Sequence, residues 1–73
     1  MEELRKALQE LYPNIEFDKE TNLYDDGIID SVDVVTIISK LEELFDISVT
    51  MEYIQPPYFQ SVETMWEMVE ELM

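Results

Sequence analysis

Apolar residues recur at helical spacing in three stretches of this chain, residues 2–12, 31–46 and 62–72. In the first stretch they fall at positions i, i+3, i+4 and i+7, which is one stripe of a helix. The middle stretch carries two overlapping stripes, which predict a helix that packs against several neighbours. The stripe residues are Leu4, Ala7, Leu8 and Leu11, then Val34, Ile37, Ile38, Leu41, Leu44 and Phe45, then Val62, Met65, Trp66, Val69 and Leu72. The pattern predicts an all-α fold.

The ends of these helices carry local signals. Pro13 ends the first helix, because the residue before a proline is pushed out of the helical region. Asp30 is a favoured N-cap for the second helix, and Asp33 follows three residues later, as in a capping box. Ser61 is expected to cap the last helix.

Between the first two helices lies a long connection, residues 13–30. It mixes turn-forming and apolar residues, so we expect an ordered loop pinned onto the core. Gly27, the only glycine, is expected at positive φ. One short helical turn is predicted at 51–54, stopped by Pro56 and Pro57. The expected architecture is a four-helix bundle, with three long helices and one short, forming a single domain over residues 1–73.

Composition excludes several kinds of chemistry. The chain has no histidine and no cysteine. It therefore lacks the commonest general base, the commonest zinc ligand and any thiol nucleophile. We predict that the protein is not an enzyme. Asp25, Asp26 and Asp30 lack the spacing of an EF-hand loop, so no metal site is predicted.

Charge indicates the class of partner. Four Lys and Arg against eighteen Asp and Glu give a net charge of −14. Such a surface repels nucleic acids and anionic lipid, and it attracts proteins with basic patches. Self-repulsion favours a monomer. No apolar run follows Met1 and none is long enough to span a membrane, so a freestanding cytoplasmic protein is expected.

Ser31 stands at the start of the second predicted helix, between Asp30 and Val32. Val32 falls off the main apolar stripe and is expected to face outward. Two interpretations are open at this point. The serine is either a helix cap or a hydroxyl held out for another enzyme to modify.

The wider pattern resembles the acyl/peptidyl carrier protein family. The resemblance rests on residues 27–33 (GIIDSVD) ahead of a helix that ends in 41–49 (LEELFDISV), and on 23–27 (LYDDG) and 59–65 (FQSVETM). It implies a non-catalytic four-helix bundle. A phosphopantetheinyl transferase would move 4′-phosphopantetheine from coenzyme A onto Ser31, and the arm would carry an acyl or aminoacyl group as a thioester between enzymes. Ser31, Asp30 and Gly27 are the predicted cofactor-binding residues.

The resemblance also implies that partner enzymes recognise the acidic face of the second helix. The predicted docking residues are Val32, Asp33, Thr36, Lys40, Glu42 and Glu43. Val32 stands where the family often has leucine or methionine, and Thr36, Ser39 and Lys40 stand where fatty-acid carriers are usually more acidic. Residues 45–49 (FDISV) look more like aminoacyl carriers, including the D-alanine type. These departures favour one specialised pathway over central fatty-acid synthesis.

Two other roles compete with the carrier. One is a small acidic helical adaptor that binds a basic protein surface, with Ser31 only a cap. The other is a degenerate carrier that keeps the fold and is never modified. For the carrier, free backbone N–H groups at the helix start would favour the phosphate, while Asp30 and Asp33 would repel it. Candidate lining residues for a cargo pocket, otherwise expected in the core, are Ile37, Leu41, Tyr53, Ile54 and Trp66.

Overall fold

The computed structural model describes all 73 residues. Three α-helices carry the apolar stripes. They are α1 (Glu2–Leu11), α2 (Ser31–Phe45) and α3 (Val62–Leu72), and the chain forms no strand. The prediction of an all-helical fold is confirmed. None of the helices is both long enough and apolar enough to cross a lipid bilayer.

Two helix ends differ from the prediction by one residue. Helix α1 ends at Leu11, because Tyr12 leaves the helical region at φ −133° while its N–H still donates to the Leu8 carbonyl at 2.9 Å. Helix α2 ends at Phe45, because Asp46 takes a left-handed conformation at φ 54°. A left-handed residue just past the last turn is a common helix stop.

The predicted short fourth helix is not an α-helix. A 3₁₀-helix, η1 (Met51–Tyr53), occupies the expected place, and a second one, η2 (Pro56–Phe59), follows it. We expected the two prolines to stop a helix, but they begin one. A proline at the first positions of a helix loses nothing by lacking an N–H, since those donors have no partner within the helix.

One hydrophobic core unites these elements. It draws residues from all three α-helices, from η2 and from the connection between α1 and α2. Its fourteen members are Leu4, Leu8, Phe17, Leu23, Ile29, Val34, Ile37, Ile38, Leu41, Phe59, Val62, Met65, Met68 and Val69. Leu11, placed on the first stripe by sequence, is 36% exposed. It is the last residue of α1 and is not part of the core.

Buried side chains and hydrogen bonds both hold the connection before α2 in place. Phe17, Leu23 and Ile29 are buried in the core. The Leu23 N–H donates to the Gln60 carbonyl at 2.9 Å, and the Gln60 side-chain oxygen accepts from the Tyr24 N–H at 3.2 Å. Gly27 turns the chain at φ 73°, as predicted. These contacts fix where α2 begins.

Candidate functional site

The start of α2 is closed by a reciprocal capping box. The Asp30 carboxylate accepts hydrogen bonds from the N–H groups of Val32 and Asp33, both at 3.0 Å. The Asp33 carboxylate in turn accepts from the Asp30 N–H at 3.1 Å. The predicted cap and capping box are therefore confirmed.

Ser31 is the first residue of α2 and is exposed. Asp30 supplies the side-chain cap, so the Ser31 hydroxyl takes no part in the capping hydrogen bonds. The interpretation of Ser31 as only a helix cap, which was part of the adaptor role, is not supported. A small hydroxyl at the protein surface, free of the cap, is open to modification.

The same cap changes the expected anion site. Side-chain caps and bound anions compete for the N–H groups of the first helical turn. Asp30 already occupies those of Val32 and Asp33, which leaves the N–H of Ser31 itself. The expectation that free N–H groups at the helix start would favour the phosphate therefore applies to the Ser31 N–H alone.

Tyr12 ties the end of α1 to this capping box. Its hydroxyl donates to Asp33 Oδ1 at 2.8 Å. Burial raises the pKa of Tyr12 to about 12, and the hydrogen bond and negative charge of Asp33 act in the same direction. Sequence reasoning missed this residue, because no local spacing rule joins positions 21 apart. The contact anchors Asp33 and, through it, Asp30.

A cavity of about 230 Å³ opens beside Ser31. Its walls are mostly apolar and come from α2, from the segment around η2 and from the connection. The lining residues are Tyr24, Ser31, Val34, Val35, Ile54, Gln55, Pro56 and Phe59. An attached group would therefore leave Ser31 at the rim of an apolar recess.

Of the five predicted pocket residues, only Ile54 lines this cavity. Ile37 and Leu41 are wholly buried in the core. Tyr53 packs against Tyr58 with ring centroids 5.3 Å apart, and Trp66 meets Phe45 edge-on at 5.7 Å. Helical periodicity places a side chain on the inner face, but it does not tell a packed position from one beside a cavity.

Three of the predicted docking residues are exposed. Val32 is 71% exposed, as expected, and Glu43 is exposed on the same helix. Thr36 is also exposed, and its hydroxyl donates to the Val32 carbonyl at 3.1 Å. Lys40 is half-buried and forms none of the chain's ion pairs, which join Arg5 and Lys19 to carboxylates.

The other two predicted docking residues have internal partners. Asp33 is half-buried, with one oxygen bound to Tyr12 and the other to the Asp30 N–H. Glu42 accepts from the Val49 N–H at 2.9 Å and so fastens the chain that leaves α2. Both carboxylates therefore have a structural role. Docking through this set of six residues stays a prediction.

Acidic residues are spread widely over the surface. Helix α3 carries no basic residue. Its exposed carboxylates are Glu63, Glu67, Glu70 and Glu71. Asp25, Asp26 and Asp30 do not come together as a group that could hold a metal ion. The negative charge is therefore not confined to the face beside Ser31.

Comparison with known proteins gives one match. A protein-family model described as the phosphopantetheine attachment site matches residues 2–55. This range runs from α1 to just past η1 and includes Ser31 with its capping box. No curated protein and no solved structure gives a significant match.

Proposed function

The chain belongs to the phosphopantetheine attachment site family, and on that premise we propose that it is a carrier protein loaded on Ser31. The family holds 4′-phosphopantetheine covalently on a serine, and its carrier domains are generally non-catalytic. We propose further that residues 1–73 form one carrier domain, which acts as a monomer in the cytoplasm.

The exposed hydroxyl of Ser31 carries the assignment. The chain offers four serines, and Ser61 is only 6% exposed and caps α3. Ser39 and Ser48 are exposed, but neither lies at a helix start or lines the cavity. Ser31 is exposed, stands at the first position of α2 and sits on the cavity rim. An enzyme can reach it there without unfolding a helix.

Loading requires little from this chain. In the transfer, Ser31 Oγ bonds to the phosphorus that bears pantetheine, the anhydride P–O bond of coenzyme A breaks, adenosine 3′,5′-bisphosphate leaves, and the Oγ proton passes to a base. The chain has no histidine, the commonest general base, and we propose that the transferase supplies the base. When bound, the group supplies a terminal thiol that carries an acyl or aminoacyl cargo as a thioester. Asp30 and Asp33 fix the α2 start, and Gly27 makes the turn that leads into it.

The proposed partners are the transferase and the enzymes that load and use the arm. The net charge of −14 supports basic docking patches on them, because opposite charges speed encounter. We propose that the exposed Val32, Thr36 and Glu43 contact these partners directly. Lys40, Asp33 and Glu42 lie beside them on α2. The mixed character of this face supports a carrier of one specialised pathway.

Intact-mass measurement tests the proposal. The purified protein is incubated with coenzyme A, Mg²⁺ and a broad-specificity phosphopantetheinyl transferase. We expect a gain of one 4′-phosphopantetheine group in the wild type and in Ser39→Ala, a matched exposed serine on α2, and no gain in Ser31→Ala. An unmodified wild type, or a modified Ser31→Ala, would contradict the proposal.

A further inference from the structure

Tyr12 has a fixed position at the end of α1. Its N–H donates to the Leu8 carbonyl at 2.9 Å. Its carbonyl accepts from the Ile15 N–H at 3.2 Å and from the Gln9 side-chain amide at 3.3 Å. Its side chain is half-buried and packs against the hydrophobic core. Backbone and ring are therefore both held, and they place the phenol hydroxyl at the start of α2.

That hydroxyl begins a chain of hydrogen bonds that ends on both sides of Ser31. It donates to Asp33 Oδ1 at 2.8 Å, and the other oxygen of the same carboxylate accepts from the Asp30 N–H at 3.1 Å. The Asp30 carboxylate in turn accepts from the Val32 N–H at 3.0 Å. Ser31 lies between Asp30 and Val32, so both of its chain neighbours belong to this network. The position of Tyr12 is thereby linked to that of the Ser31 hydroxyl.

No basic side chain pairs with the two carboxylates of the capping box. The ion pairs of the chain use Arg5 and Lys19 as cations, and their acidic partners lie in α1 or at positions 16 and 18. Tyr12 is therefore the one side-chain donor to Asp33, whose half-buried carboxylate would lose free energy without it. Burial raises the pKa of Tyr12 to about 12, so the hydroxyl keeps its proton at neutral pH.

The geometry points to Tyr12 as a positioning residue for the loading of Ser31, an inference that rests on the proposed function. Phosphoryl transfer needs the attacking oxygen in line with the phosphorus, and a displacement of about 1 Å costs on the order of 100-fold in rate. Without the Tyr12 hydroxyl, the Asp33 side chain turns towards water and the Asp30 N–H loses its acceptor. The first turn of α2 then loosens around Ser31. Tyr12 acts through Asp33 and does not touch the transferred group.

Single-turnover loading tests the inference. The transferase is in excess over the carrier and coenzyme A is saturating, so the rate reports the transfer step rather than product release. Tyr12→Phe should lower this rate about threefold to tenfold, because Ser31 is less well placed. The transferase concentration that gives half the maximal rate should stay within about twofold of the wild type, because the exposed surface of α2 is unchanged.

Two controls separate positioning from other effects of substitution. Tyr58→Phe makes the same change at a half-buried tyrosine that packs against Tyr53 and makes no hydrogen bond to the α2 capping box. Ser61→Ala removes the cap of α3 and is expected to destabilise the fold more than Tyr12→Phe does. Both variants should load at the wild-type rate while circular dichroism shows a folded protein.

The route of the effect is tested at Asp33. Asp33→Ala removes the group through which Tyr12 acts, so adding Tyr12→Phe to it should lower the loading rate no further. In amide NMR spectra, the Asp30 N–H signal should move in Tyr12→Phe, as expected when an amide loses its acceptor, and stay in place in Tyr58→Phe.

Three results would overturn the inference. They are equal single-turnover rates for wild type and Tyr12→Phe, an equal fall in Ser61→Ala, and a further fall of the same size when Tyr12→Phe is added to Asp33→Ala. A wild type that gains no mass overturns the proposed function itself, so the two failures are distinguishable.

Discussion

Helices α2 and α3 begin in similar ways, yet their serines have different roles. In α3, Ser61 is itself the N-cap. Its hydroxyl accepts from the Thr64 N–H at 3.2 Å, and Thr64 Oγ1 accepts from the Ser61 N–H at 3.1 Å. In α2, Asp30 makes the equivalent hydrogen bonds, and the serine stands one residue later, at the first helical position.

The difference shows how a capping residue decides what its neighbour is available to do. A carboxylate cap satisfies two N–H groups of the first turn and needs no help from a hydroxyl. Ser31 is therefore left exposed, while Ser61, which lies between η2 and α3 in the chain, is only 6% exposed. A serine at a helix start is therefore the N-cap in α3, whereas in α2 its hydroxyl makes no capping hydrogen bond.

The sharpest test of this comparison removes each hydroxyl. Ser61→Ala should lower the free energy of unfolding by about 2 kcal/mol, because it leaves a part-buried N–H of Thr64 without its acceptor. Ser31→Ala, the matched control, should change it by less than about 0.5 kcal/mol. Urea unfolding followed by circular dichroism measures both. Equal losses at the two positions would show that Ser31 is a cap after all.

Replacing the carboxylate cap tests the other half of the comparison. Asp30→Ala should cost about 1.5 kcal/mol, because the N–H groups of Val32 and Asp33 lose their shared acceptor. Asp30→Ser should recover most of this, since serine is also a favoured cap. The same urea titration provides the measurement. If Asp30→Ala unfolds at the wild-type midpoint, the cap does not stabilise α2.

Tyr12 should have a smaller effect, because it supports the capping box from outside. Tyr12→Phe removes only the hydroxyl that donates to Asp33 and should cost about 0.5–1 kcal/mol. A double-mutant cycle with Asp33→Asn isolates the pair, and the two losses should add up to more than the loss in the double variant. Strict additivity would mean that the hydrogen bond contributes nothing to the α2 start.

The smallest effect concerns pH. The pKa of Tyr12 is raised from 10.0 to about 12 by burial and by Asp33, so the folded state favours the neutral phenol. The resulting stabilisation is full below pH 10 and is lost as pH rises towards 12, because the unfolded state ionises first. The gap in urea midpoint between wild type and Tyr12→Phe should narrow over this range. A difference in midpoint that stays constant with pH would contradict the account. Other groups that titrate in this range are present in both proteins, so their effect cancels in the difference.

Local sequence signals predicted the features that depend on neighbouring residues. The Asp30 and Asp33 capping box, the Ser61 cap and the positive φ of Gly27 all follow from chemistry within a few positions. For the same reason, the exposure of Val32 was predictable from its place off the stripe. Such short-range sequence signals locate the start of α2, and therefore the position of Ser31.

Features that depend on distant residues were not predictable. The Tyr12–Asp33 hydrogen bond joins the residue that follows α1 to α2 across 21 positions, and the Gln60 side chain accepts from the Tyr24 N–H across 36 positions. The cavity gathers side chains from three parts of the chain, so of the five candidate lining residues only Ile54 lies in its wall. Pro56 was ambiguous locally, since a proline both ends one helix and begins another.

Locating the prosthetic group on the chain tests the central claim most directly. After loading, the protein is digested and the modified peptide is fragmented in a mass spectrometer. We expect the group on Ser31 alone, with Ser39, Ser48 and the cap Ser61 unmodified. A group found on any of those three serines would contradict the claim that the Asp30 cap leaves Ser31 as the attachment point.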